Sequence, residues 1–282
     1  MLDVVLIIIT FIVLLIASYT DLKTREVPDW ISYGLIFMAF GVRIIFSFEL
    51  GINVIVSGVL GFVVCLGIAF LFYYAGQWGG GDSKLLMGMG AVIGITYPLA
   101  LSSLALLWYF LALLFFGAIY GLLWMAWLAV RNRRKFVPTY LGKLEKNKQI
   151  HYLIIAVTLG MLISAFYIPK MWVFAFLPVV LFYLLTFVSV VEEKCFVKRI
   201  EANKLTEGDW LEKDVVVSGK RIVKKKTLHA EDLDKIMALY DRGKISHVVI
   251  KEGIPFIPSF LFGYIVLVFG KINVEMIFSL FV

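Results

Sequence analysis

Two aspartates in the N-terminal third of the chain stand beside long apolar segments with little polar company. Asp21 ends the first apolar run, and Asp82 opens a later one directly after three glycines in the stretch WGGGDSKLL. A charged carboxylate at the centre of a membrane-spanning helix costs about 2.5–3.5 kcal/mol on insertion scales, so these positions need an explanation. The two acids are 61 residues apart, and only helix packing would bring them together.

Two carboxyl groups in one dry site do not both ionise easily, and the pair then shares a proton. One member can accept a proton from water while the other protonates a peptide carbonyl oxygen. That is aspartic-protease chemistry, which needs no metal, cysteine or serine triad. The competing interpretation is structural: Asp is a favoured residue at a helix start, so Asp82 could cap its helix. Asp21 could equally mark the membrane boundary.

Groups for other kinds of chemistry are few. Cys65 and Cys195 form no CxxC pair, and the three histidines are scattered without ligand spacing. We therefore expect no metal site and no cofactor. The net charge of +7 fits membrane topology better than nucleic acid, because no aromatic residues interleave with the basic ones.

Glycines surround the second aspartate. Gly79, Gly80 and Gly81 can adopt positive φ and allow close backbone approach, so we expect an extended substrate segment to lie against them. Further along, glycines at 88, 90 and 94 form a stripe that is typical of a helix packing face.

The chain as a whole has the composition of a polytopic membrane protein. It is 61% hydrophobic with a mean hydropathy of +0.93, whereas a soluble domain is roughly 45–50% apolar. A span needs about 20 apolar residues. The pattern predicts eight membrane helices, near 2–21, 29–48, 52–77, 83–97, 99–130, 151–168, 172–191 and 256–275. The fourth is short because Tyr97-Pro98 predicts a turn.

Basic residues predict the orientation, since Lys and Arg concentrate in short cytoplasmic loops. Ten lie on one side of the eight predicted spans, mostly in 131–150 with others in 22–28 and at Lys84. Three lie on the other side, namely Arg43, Lys170 and Lys271. The N-terminus is therefore predicted outside the cell membrane, with both aspartates at the cytoplasmic face.

The segment 192–255 is rich in charge and has no long apolar run. It predicts a β-hairpin around Ser218-Gly219, then a short helix ending near Gly243, then a strand at HVVIKEG. The predicted fold is therefore an all-α polytopic membrane protein with a small α+β cytoplasmic domain before the last helix. Its parts would be a helical bundle with the acid pair (1–191), the charged domain (192–255) and a C-terminal span (256–282).

These residues resemble a known family. GGGD (79–82) matches the GxGD signature of intramembrane aspartic proteases, and DLKTREVPDW (21–30) is similar to the turn after the first helix of type IV prepilin peptidases. The charged domain followed by GIPFIPSFLFGYI (253–265) resembles the archaeal prepilin and preflagellin peptidase branch. Bacterial relatives often carry a four-cysteine segment and N-methylate their product. That segment is absent here, so the resemblance implies a peptidase without methyltransferase activity.

The resemblance implies a membrane aspartic endopeptidase with Asp21 and Asp82 as its catalytic pair. It would cut short basic leaders from pilin-like or archaeal flagellin precursors at the cytoplasmic face. Glu26 and Asp29 would then contact the leader, although plain capping of the second helix is the alternative. Asp82 lies at a helix start, where the helix dipole favours its anion, and Asp21 at a helix end. We therefore expect Asp82 to act as the base and Asp21 as the acid.

Three other functions stay open. Presenilin and signal peptide peptidase share GxGD chemistry but place their aspartates on adjacent helices. A transporter also uses intramembrane acids, yet usually near the midplane rather than at an edge. A structural assembly subunit would use the basic stretch 131–150 to bind a partner.

Overall fold

The computed structural model describes residues 1–97, 104–168, 172–217 and 219–279. The chain divides into two compact units, one of Met1–Leu122 with Ile254–Val282 and the other of Leu123–Gly253. Predictions that involve Pro98, Lys170 and Ser218 fall outside the described residues.

The first unit is a helical bundle built from both ends of the chain. Its helices are α1 (Leu2–Thr24), α2 (Asp29–Leu50), α3 (Asn53–Tyr74), α4 (Gly80–Ile93), the first part of α5 (Ala105–Arg131) and α11 (Ile257–Ser279). α1 contacts α2, α4 and α11, so the last helix of the chain packs against the first.

Glycines let α4 approach its neighbours closely, as the stripe predicts. A Cβ on Gly90 would lie 2.4 Å from the carbonyl oxygen of Gly61 in α3, and one on Gly88 would lie 3.0 Å from Leu35 in α2. No side chain fits at Gly90 without moving a backbone, so the glycine is required for this contact. α4 is consequently held against both α2 and α3.

A buried arginine closes the far end of α4. Arg43 of α2 is only 4% exposed and donates hydrogen bonds to the carbonyl oxygens of Ala91 (2.8 Å), Val92 (2.7 Å) and Val54 (2.7 Å). The last carbonyls of a helix have no partner within it, and a guanidinium supplies several donors at once. In the prediction of membrane orientation, Arg43 is counted as a basic residue on the non-cytoplasmic side. In the structure it is buried and caps the end of α4.

The second unit begins in the last part of α5 and contains further helices and two small sheets. Its elements are α6 (Arg133–Lys146), α7 (Lys148–Ala165), α8 (Trp172–Ala175), α9 (Leu177–Lys194), β1 (Val197–Glu201), β2 (Trp210–Leu211), β3 (Val215–Val217), β4 (Lys220–Val223), α10 (Ala230–Asp241) and β5 (His247–Lys251). One antiparallel sheet has the order β1-β5-β2, and β3 pairs with β4 as a hairpin. The predicted helix and strand are thus confirmed, and β3 and β4 pair on either side of the predicted turn, of which Ser218 lies outside the described residues.

The structure differs from the sequence-based expectation at residues 131–150, where a loop is predicted and α6 is found. Phe136, Tyr140 and Leu144 repeat every four residues, so they share one face. Phe136 packs on Phe187 of α9, with ring centroids 5.6 Å apart. The lysines and arginines around these residues lower the mean hydropathy of the stretch, so the apolar repeat is not visible in a hydropathy profile. A second difference is the predicted span 172–191, which is broken into α8 and α9.

Five helices among the described residues are long and apolar enough to cross a membrane: α1, α2, α3, α5 and α7. The apolar part of α11, Ile257–Gly270, is shorter. The chain is therefore a mostly helical, multi-pass membrane protein with a small sheet-containing domain. The described helices do not reach the predicted count of eight long spans.

Candidate active site

Asp21 is the fourth residue from the end of α1, which continues to Thr24. Arg25 caps α1, and its left-handed backbone (φ 63°) directs its N–H to the carbonyl oxygen of Asp21 at 2.9 Å. The Asp21 side chain is buried, with the residue 6% exposed, and its Oδ2 accepts a hydrogen bond from the backbone N–H of Ile257 at 2.9 Å. The carboxylate therefore faces the first residue of α11.

Asp82 is the third residue of α4 and lies in its first turn. Its Oδ2 accepts a hydrogen bond from the backbone N–H of Gly79, the N-cap residue of the helix, at 3.1 Å. The side chain thereby satisfies one of the N–H groups that have no partner inside the helix. The N-cap position proposed for Asp82 is thus occupied by Gly79, and Asp82 binds the N-cap residue from the third helical position. This contact is compatible with chemistry at the same carboxyl group.

Packing of α1 against α4 brings the two acids together. Asp21 lies close enough for its charge to act on the carboxyl group of Asp82. Each acid accepts one backbone N–H from the start of a helix, α11 for Asp21 and α4 for Asp82. The expectation that Asp21 has no helix start beside it is therefore wrong, because a segment 236 residues later in the chain supplies one. The helix-dipole argument for Asp82 as the base and Asp21 as the acid therefore no longer applies.

The three glycines before Asp82 do not use positive φ, contrary to expectation. Gly79 is extended (φ −75°, ψ 171°), and Gly80 and Gly81 begin α4 with φ outside the left-handed region. Their environments differ. A Cβ on Gly80 would meet nothing within 4 Å, whereas one on Gly81 would lie 3.2 Å from the Cβ of Val27. Close approach thus explains Gly81, and Gly80 leaves bare backbone that is open.

An aromatic cluster with no counterpart among the predicted site residues lies beside the two backbone donors, Gly79 and Ile257. Trp78 stacks on Phe72 with ring centroids 4.5 Å apart, and it contacts Phe256 at 5.7 Å and Phe260 at 5.9 Å. Trp78 directly precedes Gly79, and Phe256 directly precedes Ile257. The cluster therefore joins the two segments whose N–H groups bind the aspartates. The signal in the sequence was an aromatic residue immediately before each segment.

The acids predicted to contact substrate lie on the turn between α1 and α2. Glu26 is exposed. Asp29 begins α2 and forms an ion pair with Lys84, whose Nζ lies 2.6 Å from Asp29 Oδ1 and 5.3 Å from the centre of the Tyr33 ring. Lys84 is thus the partner of Asp29 and not of Asp82. Val27 on the same turn faces Gly81, so the turn lies beside the start of α4.

Among the described residues, no group of three or more His, Cys, Asp or Glu side chains is arranged to hold a metal ion. The candidate site combines two neighbouring carboxyl groups, each accepting one backbone N–H, with a glycine segment that is exposed at Gly79 and half-buried at Gly80 and Gly81. Such a pair can exchange protons with water and with a carbonyl oxygen.

Comparison with known proteins points to the same part of the chain. Residues 8–128 match the type IV leader peptidase family. This range includes both aspartates, the glycines and the turn between α1 and α2. It ends before the sheet-containing domain and before α11. No solved structure matches the chain.

Among curated proteins, the chain is similar to preflagellin peptidases from methanogens. It is 41% identical over 81 residues to that of Methanococcus voltae and 41% identical over 85 residues to that of Methanocaldococcus jannaschii. Each match covers 28% of this chain and 34% of the relative. The preflagellin peptidase of Methanococcus maripaludis is 29% identical over 85 residues, which is 35% of its length. The chain thus aligns with about a third of each relative.

Proposed function

We propose that this chain, whose residues 8–128 belong to the type IV leader peptidase family, is a membrane aspartic endopeptidase that uses Asp21 and Asp82. The observation that carries the proposal is the pairing of these two acids on α1 and α4, each held by one backbone N–H. The similarity to preflagellin peptidases supports the same assignment.

The proposed reaction uses the pair with one shared proton. The ionised carboxylate takes a proton from a water molecule, and the oxygen of that water attacks the carbonyl carbon of the scissile bond. The protonated carboxyl group gives its proton to the carbonyl oxygen. The tetrahedral intermediate then collapses as a proton passes to the departing nitrogen. Because such pairs titrate as a unit, we assign no fixed acid or base to either residue.

The proposed substrates are archaeal flagellin precursors, with type IV pilin-like precursors as the related class. Their leader is short and basic and precedes an apolar helix. Glu26 is exposed on the turn beside α4 and suits contact with a basic leader. Asp29 is proposed for the same task, although Lys84 holds its carboxylate in the free protein. Gly79, Gly80 and Gly81 are proposed to receive the extended segment around the scissile bond.

We further propose the finer topology of eight spans, with the N-terminus outside and the site at the cytoplasmic face. In this topology α4 is a short span, since its 14 residues give a length of about 21 Å at 1.5 Å per residue, against a hydrocarbon thickness of about 30 Å. Residues 192–255 would form the cytoplasmic domain. A cysteine placed at Tyr140 should resist a membrane-impermeant thiol reagent in intact cells, and external labelling there would overturn the orientation.

The test of function is cleavage by purified protein in detergent. The substrates are precursor flagellin and precursor pilin, and sequencing of the new N-terminus identifies the cut. Asp21→Asn and Asp82→Asn should each abolish cleavage, because neither single carboxyl group can exchange both protons. Glu49→Gln, which removes an exposed acid at the end of α2, is the matched control and should cleave normally.

The alternatives make different predictions in the same experiment. A transporter or an assembly subunit predicts no cleavage even by the wild-type protein. A presenilin-like protease predicts cuts within the apolar helix rather than before it. Full activity in either aspartate variant would refute the catalytic pair while leaving a protease of another kind.

A further inference from the structure

We propose that the backbone N–H of Ile257 is a positioning group for Asp21, so that α11 completes an active site begun by residues 8–128. This inference rests on the proposed function, because it assigns a role in catalysis by Asp21. It extends that function to a segment outside the family match, 129 residues beyond its end.

The first step is the contact itself. Ile257 is fully buried and is the first residue of α11, and its N–H points at Asp21 Oδ2 with a separation of 2.9 Å. The N–H groups in the first turn of a helix lack partners within it. A buried carboxylate is a strong acceptor, and a hydrogen bond to an ionised group is shorter and stronger than a neutral one. The bond thus serves both α11 and Asp21.

The second step is that the N–H is held in place. Phe256, immediately before it, lies against Trp78 and against α5 at Gly117, where an added Cβ would come within 2.6 Å of the Phe256 ring. The carbonyl oxygen of Phe256 accepts the N–H of Ser259 at 3.0 Å, which fixes the first turn. Phe256 is therefore clamped on two sides, and Ile257 follows it directly.

The third step connects this clamp to the second acid. Trp78 contacts Phe256 and Phe260 of the α11 segment and directly precedes Gly79, whose N–H binds Asp82. Through Trp78 the donor for Asp21 and the donor for Asp82 are parts of one packed unit. A shift of α11 would change the orientation of Asp21 relative to Asp82. Catalysis is sensitive to such shifts, since a misplacement of about 1 Å can cost roughly 100-fold in rate.

The test removes the N–H while keeping the helix. Ile257→Pro has no backbone N–H, and proline is well tolerated at the first position of a helix. Ile257→Ala loses the buried side chain but keeps the donor. We expect Ile257→Pro to lower kcat by about 100-fold with KM within about twofold of wild type. Ile257→Ala should retain at least ten times the kcat of the proline variant, whatever stability it loses.

A second variant keeps the proposal testable if the Ile257→Pro protein does not fold. Replacing Ile257 by its α-hydroxy analogue during translation turns the amide into an ester, which deletes the N–H and preserves the side chain. It should show the same fall in kcat with unchanged KM. Folding of every variant is checked by thermal unfolding in detergent.

The outcomes are separable. Wild-type kcat in the ester variant overturns the inference, and so does an equal loss in the alanine and ester variants, which would assign the effect to packing. Neither result touches the proposed function as long as the wild-type protein cleaves and Asp21→Asn does not. Absence of cleavage by the wild-type protein would instead refute the proposed function.

Discussion

Lys84 Nζ lies 2.6 Å from Asp29 Oδ1 and ties the first turn of α4 to the start of α2. The Asp29 side chain is 62% exposed and that of Lys84 is 29% exposed, so solvent screens much of the attraction. Exposed ion pairs contribute about 0–1 kcal/mol, which makes this contact a weak structural element. Lys84 follows Asp82 by two residues, so under the proposed function the pair lies where a basic leader would bind.

The first prediction separates these roles. If Asp29 binds a basic leader, Lys84→Met frees its carboxylate and removes a repelling cation, so KM should fall about two- to fivefold, within the energy of one exposed pair. Asp29→Asn should raise KM by a similar factor. Steady-state cleavage of a precursor peptide measures both. If the pair is only structural, the two variants will change KM in the same direction.

The second prediction concerns the glycines. Gly80→Val should lower thermal stability less than Gly81→Val does, because a Cβ at Gly80 meets nothing within 4 Å. It should nevertheless lower kcat/KM about 10-fold or more if substrate backbone approaches this position, since misplacement of about 1 Å can cost roughly 100-fold. Gly81→Val should lower the thermal midpoint as well, because its side chain meets Val27. Wild-type kcat/KM in Gly80→Val would remove the idea of substrate access.

The third prediction concerns the cap of α4. Arg43→Met should lower the free energy of unfolding by roughly 2–4 kcal/mol, because the buried carbonyl groups of Ala91 and Val92 lose their donors. Arg43→Lys should recover only part, since an ammonium does not reproduce the fork of a guanidinium. Titration with a denaturing detergent measures the effect. Arg134→Met, at an exposed position of α6, is the control and should change stability little.

The fourth prediction is a pH dependence in the sheet-containing domain. Asp232 in the first turn of α10 binds Lys226 Nζ at 2.6 Å and the N–H of His229 at 3.3 Å. The hydrogen bond from Lys226 lowers the pKa of Asp232 below its ordinary 3.8. A lowered folded-state pKa gives stability that is complete above the unfolded value and is lost as the pH falls through the folded value. α10 should therefore loosen below about pH 4.

Hydrogen exchange of the α10 amides, corrected for the intrinsic rate at each pH, measures this opening. Asp232→Asn should lower the opening free energy by about 0.3–1 kcal/mol near neutral pH and flatten its acid dependence. Asp234→Asn changes an exposed acid on the same helix and should behave like the wild type. The linkage is disproved if Asp232→Asn keeps the wild-type acid dependence.

What the sequence predicts well is local. Apolar runs long enough to span a membrane are visible as composition, and α10 and β5 follow from periods of 3.6 and 2 residues within a dozen positions. Asp21 and Asp82 stand out because charges are rare in such surroundings. Their pairing follows from the predicted topology, and in the structure α1 packs against α4 so that the charge of Asp21 acts on Asp82.

The contacts that the sequence does not predict join residues that are far apart in the chain. The donor to Asp21 comes from Ile257, and the cap of α4 comes from Arg43, nearly 50 residues before the carbonyls it binds. No period or motif encodes such contacts, because they depend on how helices pack. α6 was missed for another reason: its four-residue apolar repeat is present, but flanking charges dominate the average.

The 236 residues between Asp21 and Ile257 also set an order of events during synthesis. Chains grow at about 5–20 residues per second, so α1 precedes the start of α11 by ~10–50 s. For most of that interval both aspartates and the glycine turn are already made, yet Asp21 has no N–H from α11. During synthesis and membrane insertion, the site therefore lacks the N–H group of Ile257. Under the proposed function, hydrolytic competence would therefore appear only once α11 has been made and has packed against α1.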